Sequence, residues 1–175
     1  MIYEPREDSL LLQKHVRKYA HGSVVDMGSG SGIQAETALE KTKDVLAVDI
    51  DDDVIAHLKK KHLNVIKSDL FSKVPKKKFD LIIFNPPYLP EDKRERMEDR
   101  LALTGGKYGW EILDRFFKEA KNFLSPEGKI LIVFSSITGD VDFILKKYGY
   151  TFEKLDKQSF FFEKLIVYLI SPQPL

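Results

Sequence analysis

The chain has 175 residues, 43% hydrophobic and 31% charged, which suits one soluble globular domain with a sizeable core. Its 28 Lys and Arg against 27 Asp and Glu leave a formal charge of +1, so composition supplies no basic excess for gripping duplex nucleic acid. There is no cysteine, which excludes disulfides, a CxxC redox pair and thiolate zinc sites.

In chain order, Ser23–Met27 (SVVDM) reads as a first strand, followed by a glycine turn and a helix to about Lys41. Val45–Ile50 (VLAVDI) is a second strand, with a helix through Asp53–Lys61 and a third strand near Asn64–Lys67. Phe79–Phe84 (FDLIIF) is the fourth. Trp110–Phe123 carries apolar residues at helical spacing, the stretch SPEG punctuates, and Lys129–Phe134 (KILIVF) is a fifth strand. Strands and helices that alternate in this way imply a parallel sheet with helices on both faces. After a helix near Asp140–Tyr148, Thr151–Asp156 and Lys164–Ile170 are separated too briefly for a crossover and are expected to pair antiparallel. The expected fold class is therefore α/β: one domain over residues 1–175, with about seven strands, mostly parallel, and a C-terminal antiparallel hairpin.

Several features read as plain surface. The mixed-charge run Glu91–Arg100 (EDKRERMEDR) and the basic cluster Lys73–Lys78 (KVPKKK) are expected to be solvated. His15, His21, His57 and His62 show no metal-ligand spacing and read as solvated helix or loop positions. No apolar run reaches the roughly 18 residues of a membrane span, and no signal-peptide core is visible, so a cytoplasmic location is expected.

The chemistry gathers at strand ends. Gly28, Gly30 and Gly32 let the chain turn tightly after the first strand and let a ligand approach the main chain. A dinucleotide fingerprint counted from Gly28 would place glycine where Ile33 stands, and Asp26 beside the turn would repel a pyrophosphate. Asp49 closes the second strand, where an acid accepts from ribose hydroxyls. Asp69 follows the third strand, placed for an adenine amino group, with Leu70 beside the ring. Three acids at successive strand ends suit a ligand with an ammonium, a diol and an adenine, as in S-adenosylmethionine. Ligands of open α/β sheets bind outside the carboxyl ends of the strands, so Asp26, Asp49, Asp69 and Asn85 are expected to converge.

The fourth strand ends in Asn85-Pro86-Pro87-Tyr88. With the strand-end acids, this tetrapeptide resembles class I S-adenosylmethionine-dependent methyltransferases that modify planar exocyclic or amide nitrogens. Tyr3–Leu12 (YEPREDSLLL) and Leu103–Phe117 (LTGGKYGWEILDRFF) narrow the resemblance to the archaeal and eukaryotic HemK-like release-factor glutamine methyltransferases. The similarity spans nearly the whole chain, in family order. It implies S-adenosylmethionine as cofactor, with Ser9, Asp26, Gly28, Gly30, Asp49, Asp69, Leu70 and Asn85 as its contacts. Several eukaryotic relatives carry Glu where Asp26 stands. The resemblance further implies that Asn85, Pro86, Pro87 and Tyr88 form the catalytic jaw, of which Asn85, Pro86 and Tyr88 hold the substrate. Gly105, Gly106 and Gly109 read either as a flexible connector or as a loop that permits close approach of the substrate backbone.

The implied activity is N5-methylation of the glutamine in the Gly-Gly-Gln tip of a class 1 peptide-chain release factor. Bacterial relatives have an N-terminal helical domain that recognises the release factor. Here the opening motif lies at the start of the chain, so help from a partner is expected. The branch typically pairs with a small zinc-binding activator, which would cover the apolar edge HLNVIKSDLF next to the third strand, making a heterodimer. An adenine-N6 DNA or RNA methyltransferase would share the jaw but needs a basic cleft and a base-handling domain, and the near-neutral charge argues against nucleic acid as direct substrate. Lysine methylation as a second activity and a non-catalytic cofactor-binding scaffold are the remaining alternatives.

Overall fold

Runs that are apolar at successive positions become strands because a sheet covered on both faces has no polar side to present. The computed structural model describes residues 4–87 and 109–174. Tyr3, Tyr88, the charged run 91–100, Gly105 and Gly106 lie outside the described residues. Strands β1 (Ser23–Met27), β2 (Asp44–Asp49), β3 (Val65–Lys67), β4 (Phe79–Phe84), β5 (Leu124–Ser135), β6 (Tyr150–Ser159) and β7 (Lys164–Pro172) form one sheet in the order β3-β2-β1-β4-β5-β7-β6. Strand β7 runs antiparallel to both neighbours, and the remaining pairs are parallel. The described helices are α1 (Glu7–Tyr19), α2 (Ile33–Leu39), α3 (Asp52–Lys60), α4 (Glu111–Ala120) and α5 (Val141–Lys147), with a 3-10 turn at Lys121–Phe123. This is the mostly parallel seven-stranded sheet with a terminal hairpin that the pattern implies.

The period of two divides the core into two layers. Val24, Leu81 and Leu131 pack with Leu12 of α1, Ala35 of α2 and Leu58 of α3. Their neighbours Val25, Ile82 and Ile130 pack on the opposite face with Phe116 of α4 and Leu145 of α5. The second layer is aromatic: Phe84 and Phe116 have ring centroids 4.6 Å apart, and Phe71 stacks on Phe123 at 4.6 Å.

Three details differ from expectation. Strand β5 starts at Leu124, not Lys129, and carries SPEG within it as an irregularity: Leu124 pairs with Phe79 while Lys129 pairs with Leu81. The extra residues bulge without breaking the strand because Asp80, opposite them, accepts from Ser125 Oγ at 2.7 Å and from Ser23 N at 2.8 Å. A Cβ on Gly128 would lie 2.6 Å from the Phe79 carbonyl oxygen and 2.9 Å from Ser125 N, both main-chain atoms. Gly128→Ala is therefore expected to cost about 1–3 kcal/mol, read as a lowered denaturant midpoint with unchanged slope.

The second difference is α1, which occupies the opening motif. Leu12 and Val16 are fully buried, and the polar residues Asp8, Ser9 and His15 are buried with them. The third is His15, expected to be solvated. It is only 8% exposed, and its Nε2 lies 3.0 Å from Asp156 Oδ2 of β6. Lys14 is 2.8 Å from the same oxygen, and together these contacts, Lys14 foremost, pull the Asp156 pKa down to about 2. Helix α1 is thereby tied to the far edge of the sheet. Among the described residues, no helix is long and apolar enough to cross a membrane.

Candidate active site

The register fixes which residues share the carboxyl rim. Met27 pairs with Val48 on one side and with Phe84 on the other, and Asp49 pairs with Lys67. Asp49, Gly28 and Asn85 thus lie side by side, one residue beyond the paired row, on strands about 4.8 Å apart. Alternation sends the side chains of Asp49 and Asn85 to the same face as Ala47 and Ile83, the face covered by α1, α2 and α3. Asp26 shares that face but pairs with Ile83 and Ala47, two residues back from the rim.

The turn after β1 is tied to β2 as much as to α2. Gly28 has φ 63° and an exposed backbone, a left-handed conformation that favours glycine. Ser29 is buried. Its N–H donates to the Val48 carbonyl at 3.0 Å, and its hydroxyl donates to the Asp26 carbonyl at 2.8 Å while accepting from Val48 N at 3.2 Å. Asp49 Oδ2 accepts from Gly30 N at 3.0 Å and its Oδ1 from Asp51 N at 3.0 Å. Burial raises the Asp49 pKa against these hydrogen bonds. The carboxylate therefore clamps the glycine turn, with each oxygen keeping capacity for a further donor.

Asp26 sits behind the rim. It is 1% exposed, and its Oδ2 accepts from Ala35 N at 3.1 Å in the first turn of α2. Burial raises its pKa from 3.8 to about 7, opposed by the hydrogen bonds of Ser29 and Ala35 and assisted by the nearby Asp49 charge. The folded chain thus holds a proton that the unfolded chain releases. The stabilisation is full below the unfolded pKa and is lost as pH rises through about 7. Asp26→Asn keeps an acceptor for Ala35 without that charge. We expect it to be more stable than the wild type by on the order of a few kcal/mol at pH about 8, with the gap closing in acid, as read by thermal melts.

Asp69 is exposed and its Oδ2 lies 2.7 Å from Arg115 of α4, a helix whose buried residues pack on the face of the sheet opposite the one Ile83 occupies. Ser68 turns the chain there: its hydroxyl donates to the Leu70 carbonyl at 2.8 Å and accepts from Lys73 N at 2.9 Å. Leu70 has φ 46° and is 7% exposed, inside the aromatic layer.

Asn85 is joined to the opening motif. Its Nδ2 donates to Asp8 Oδ2 at 3.2 Å and to Ser9 Oγ at 3.3 Å. Its Oδ1 is buried and has no hydrogen-bond partner among the described residues. Ser9, expected at the cofactor, therefore stands against Asn85, and its carbonyl accepts from Gln34 Nε2 of α2 at 2.8 Å. Pro86 is buried and Pro87 half-buried, while Tyr88 lies outside the described residues. Asp8 and Arg115 received no role from the sequence, although both lie inside the motifs Tyr3–Leu12 and Leu103–Phe117; Asp8, in the first turn of a helix, ordinarily answers the helix dipole.

The model of the methyltransferase small domain matches residues 7–162. A Methanocaldococcus jannaschii protein provisionally named a protein N5-glutamine methyltransferase is 38% identical over 177 residues, covering 95% of this chain and 89% of its own. The release factor glutamine methyltransferase of Shewanella oneidensis is 32% identical over 146 residues, covering 73% of this chain and 51% of its own, so the matched part is about half of that relative. Among solved structures, the E. cuniculi Mtq2–Trm112 complex, described as methylating the translation termination factor eRF1, superimposes with TM-score 0.78 at 20% identity. That match covers 98% of this chain and 99% of the other and shows the shared fold. The seven-stranded sheet is the class I S-adenosylmethionine-dependent methyltransferase fold, and the chain belongs to the methyltransferase small domain family.

Proposed function

We propose that the protein methylates the side-chain amide nitrogen of a glutamine, that of the Gly-Gly-Gln tip of a class 1 peptide-chain release factor. The observation that carries this reading is the buried, unpartnered Oδ1 of Asn85 at the end of β4. A buried acceptor without a donor is costly and calls for an explanation. A substrate amide, with two N–H groups, supplies the missing donor. The names of the M. jannaschii and S. oneidensis relatives support the same chemistry.

The rim also fits S-adenosylmethionine. Exposed Gly28 and half-buried Gly30 offer a close main-chain approach, Asp49 can accept from a diol, and a cation bound nearby would draw the buried Asp26 carboxyl toward its charged form. Ser9, Asp69, Leu70 and Asn85 complete the proposed contacts. Asp69 must share its oxygens with Arg115 in order to accept from an adenine amino group. When bound, the cofactor supplies an electrophilic methyl group on a sulfonium centre.

The residues of the chain orient the nucleophile. A carboxamide nitrogen is weak because its lone pair is delocalised into the carbonyl. Asn85 Oδ1 and the Pro86 carbonyl each accept one N–H, and the paired prolines hold the backbone without fresh conformational entropy. Tyr88, outside the described residues, is the side chain proposed to cover the amide plane. Orientation of this kind is worth several kcal/mol, and a shift of about 1 Å costs on the order of a hundredfold. The surplus proton leaves the nitrogen after the methyl group has been accepted.

A small zinc-binding activator is proposed to cover the β3 edge, in the manner of a heterodimer, within the cytoplasm. That edge strand has three residues, Val65–Lys67, and Ile50 beside it is 48% exposed. The test is transfer of labelled methyl to the release factor, to its Gln-to-Ala variant and to duplex DNA, each with and without the activator. Label on the intact release factor alone supports the proposal. Label on DNA alone overturns it in favour of adenine.

A further inference from the structure

The jaw works only if Asn85 presents oxygen, not nitrogen, to the substrate, and an amide is nearly symmetrical in shape. Resting on the glutamine reading, we infer that Asp8 is the positioning residue that fixes this polarity and so separates glutamine from its near-isostere glutamate. Asp8 and Ser9 are each 3% exposed. Asp8 Oδ1 accepts from Ser9 N at 2.6 Å and from Ser9 Oγ at 3.3 Å. With its single proton aimed at Asp8, the Ser9 hydroxyl turns a lone pair toward Asn85. Both groups behind Asn85 are thus acceptors, at 3.2 Å and 3.3 Å from its Nδ2.

Reversing the amide would set Asn85 oxygen against a carboxylate oxygen and a hydroxyl lone pair. It would also point two N–H donors at the site. The jaw would then welcome a carboxylate and turn away an amide. Nothing local to Asn-Pro-Pro prevents that reversal. Asp8, 77 positions away in sequence, prevents it. Gln34 steadies the arrangement by donating to the Ser9 carbonyl. Asp8 acts through Asn85 and makes no contact with substrate in this scheme.

Asp8→Asn keeps the size of the side chain but can face Asn85 with either an acceptor or a donor. It is expected to lower kcat on the release factor by about 10- to 100-fold, with cofactor affinity within about threefold. A release factor carrying Glu in place of the target Gln should inhibit this variant more tightly than wild type, by on the order of tenfold, a change a merely structural role would not produce. Exchanging the pair, Asp8→Asn with Asn85→Asp, restores a donor behind an inward-facing acceptor. It should recover about tenfold or more of what Asn85→Asp alone loses.

In the free protein, the side-chain NH2 resonances of Asn85 should move in Asp8→Asn, because the bond to a carboxylate is gone. Unmoved resonances, turnover of Asp8→Asn within about twofold of wild type, or no recovery in the exchanged pair would each overturn the inference. Failure of the wild type to modify the release factor would overturn the proposed substrate, while the resonance test would still decide the role of Asp8.

Discussion

Asn85→Ala is expected to lower turnover by about 10² or more while leaving cofactor affinity within about tenfold. The substitution removes Asn85 Oδ1, a buried acceptor at the rim that has no partner among the described residues. It leaves the glycine turn intact, since that turn is held by Asp49 and Ser29. It also strips Asp8 of a donor, so a stability loss of about 1–3 kcal/mol is expected and should be measured beside the kinetics. Single-turnover rates at saturating cofactor and substrate separate the two effects. An unchanged rate would mean that the jaw does not orient the nucleophile.

Asp49→Ala is expected to act on the other side of the reaction. The carboxylate carries two main-chain hydrogen bonds, from Gly30 N and Asp51 N, and is the acid level with the exposed Gly28 at the rim. Charge-assisted hydrogen bonds contribute about 1.5–3 kcal/mol, so cofactor affinity should fall by roughly 10- to 100-fold. Turnover at saturating cofactor should stay within about threefold, because Asn85 is undisturbed. Isothermal calorimetry with S-adenosylhomocysteine reads the affinity directly. An undiminished affinity would show that the ribose is held elsewhere.

The legibility of the fold followed the strength of each local signal. Strands β1 and β4 match their expected bounds because all but one position of each is buried and the flanks break sharply. Strand β5 was expected late because Pro126 and Gly128 resemble punctuation, whereas the hydrogen bonds of Asp80 across the sheet let them continue as a bulge. Helix α1 gave a faint signal since it buries Asp8, Ser9 and His15 among its apolar residues, for reasons that lie in other elements. The antiparallel hairpin was readable from its short connection alone, though β6 runs on through Ser159.

The site was legible wherever one residue stood at one strand end. Asn85, Asp49 and Gly28 needed only the rule that ligands bind at the carboxyl rim. Contacts between distant segments were not legible. No spacing links Asp8 to Asn85 or Asp69 to Arg115, and no periodicity reveals that Asp26 turns inward to Ala35. Those partners decide the chemistry: they set which atom of Asn85 faces outward and which acids remain free for a ligand.

The most direct measurement is tandem mass spectrometry of the release factor after incubation with the protein, its activator and S-adenosylmethionine. The account predicts one added methyl group on the side-chain nitrogen of the Gly-Gly-Gln glutamine, absent when Asn85→Ala replaces the wild type. A methyl group on a lysine, or on any other residue in place of that glutamine, would contradict it.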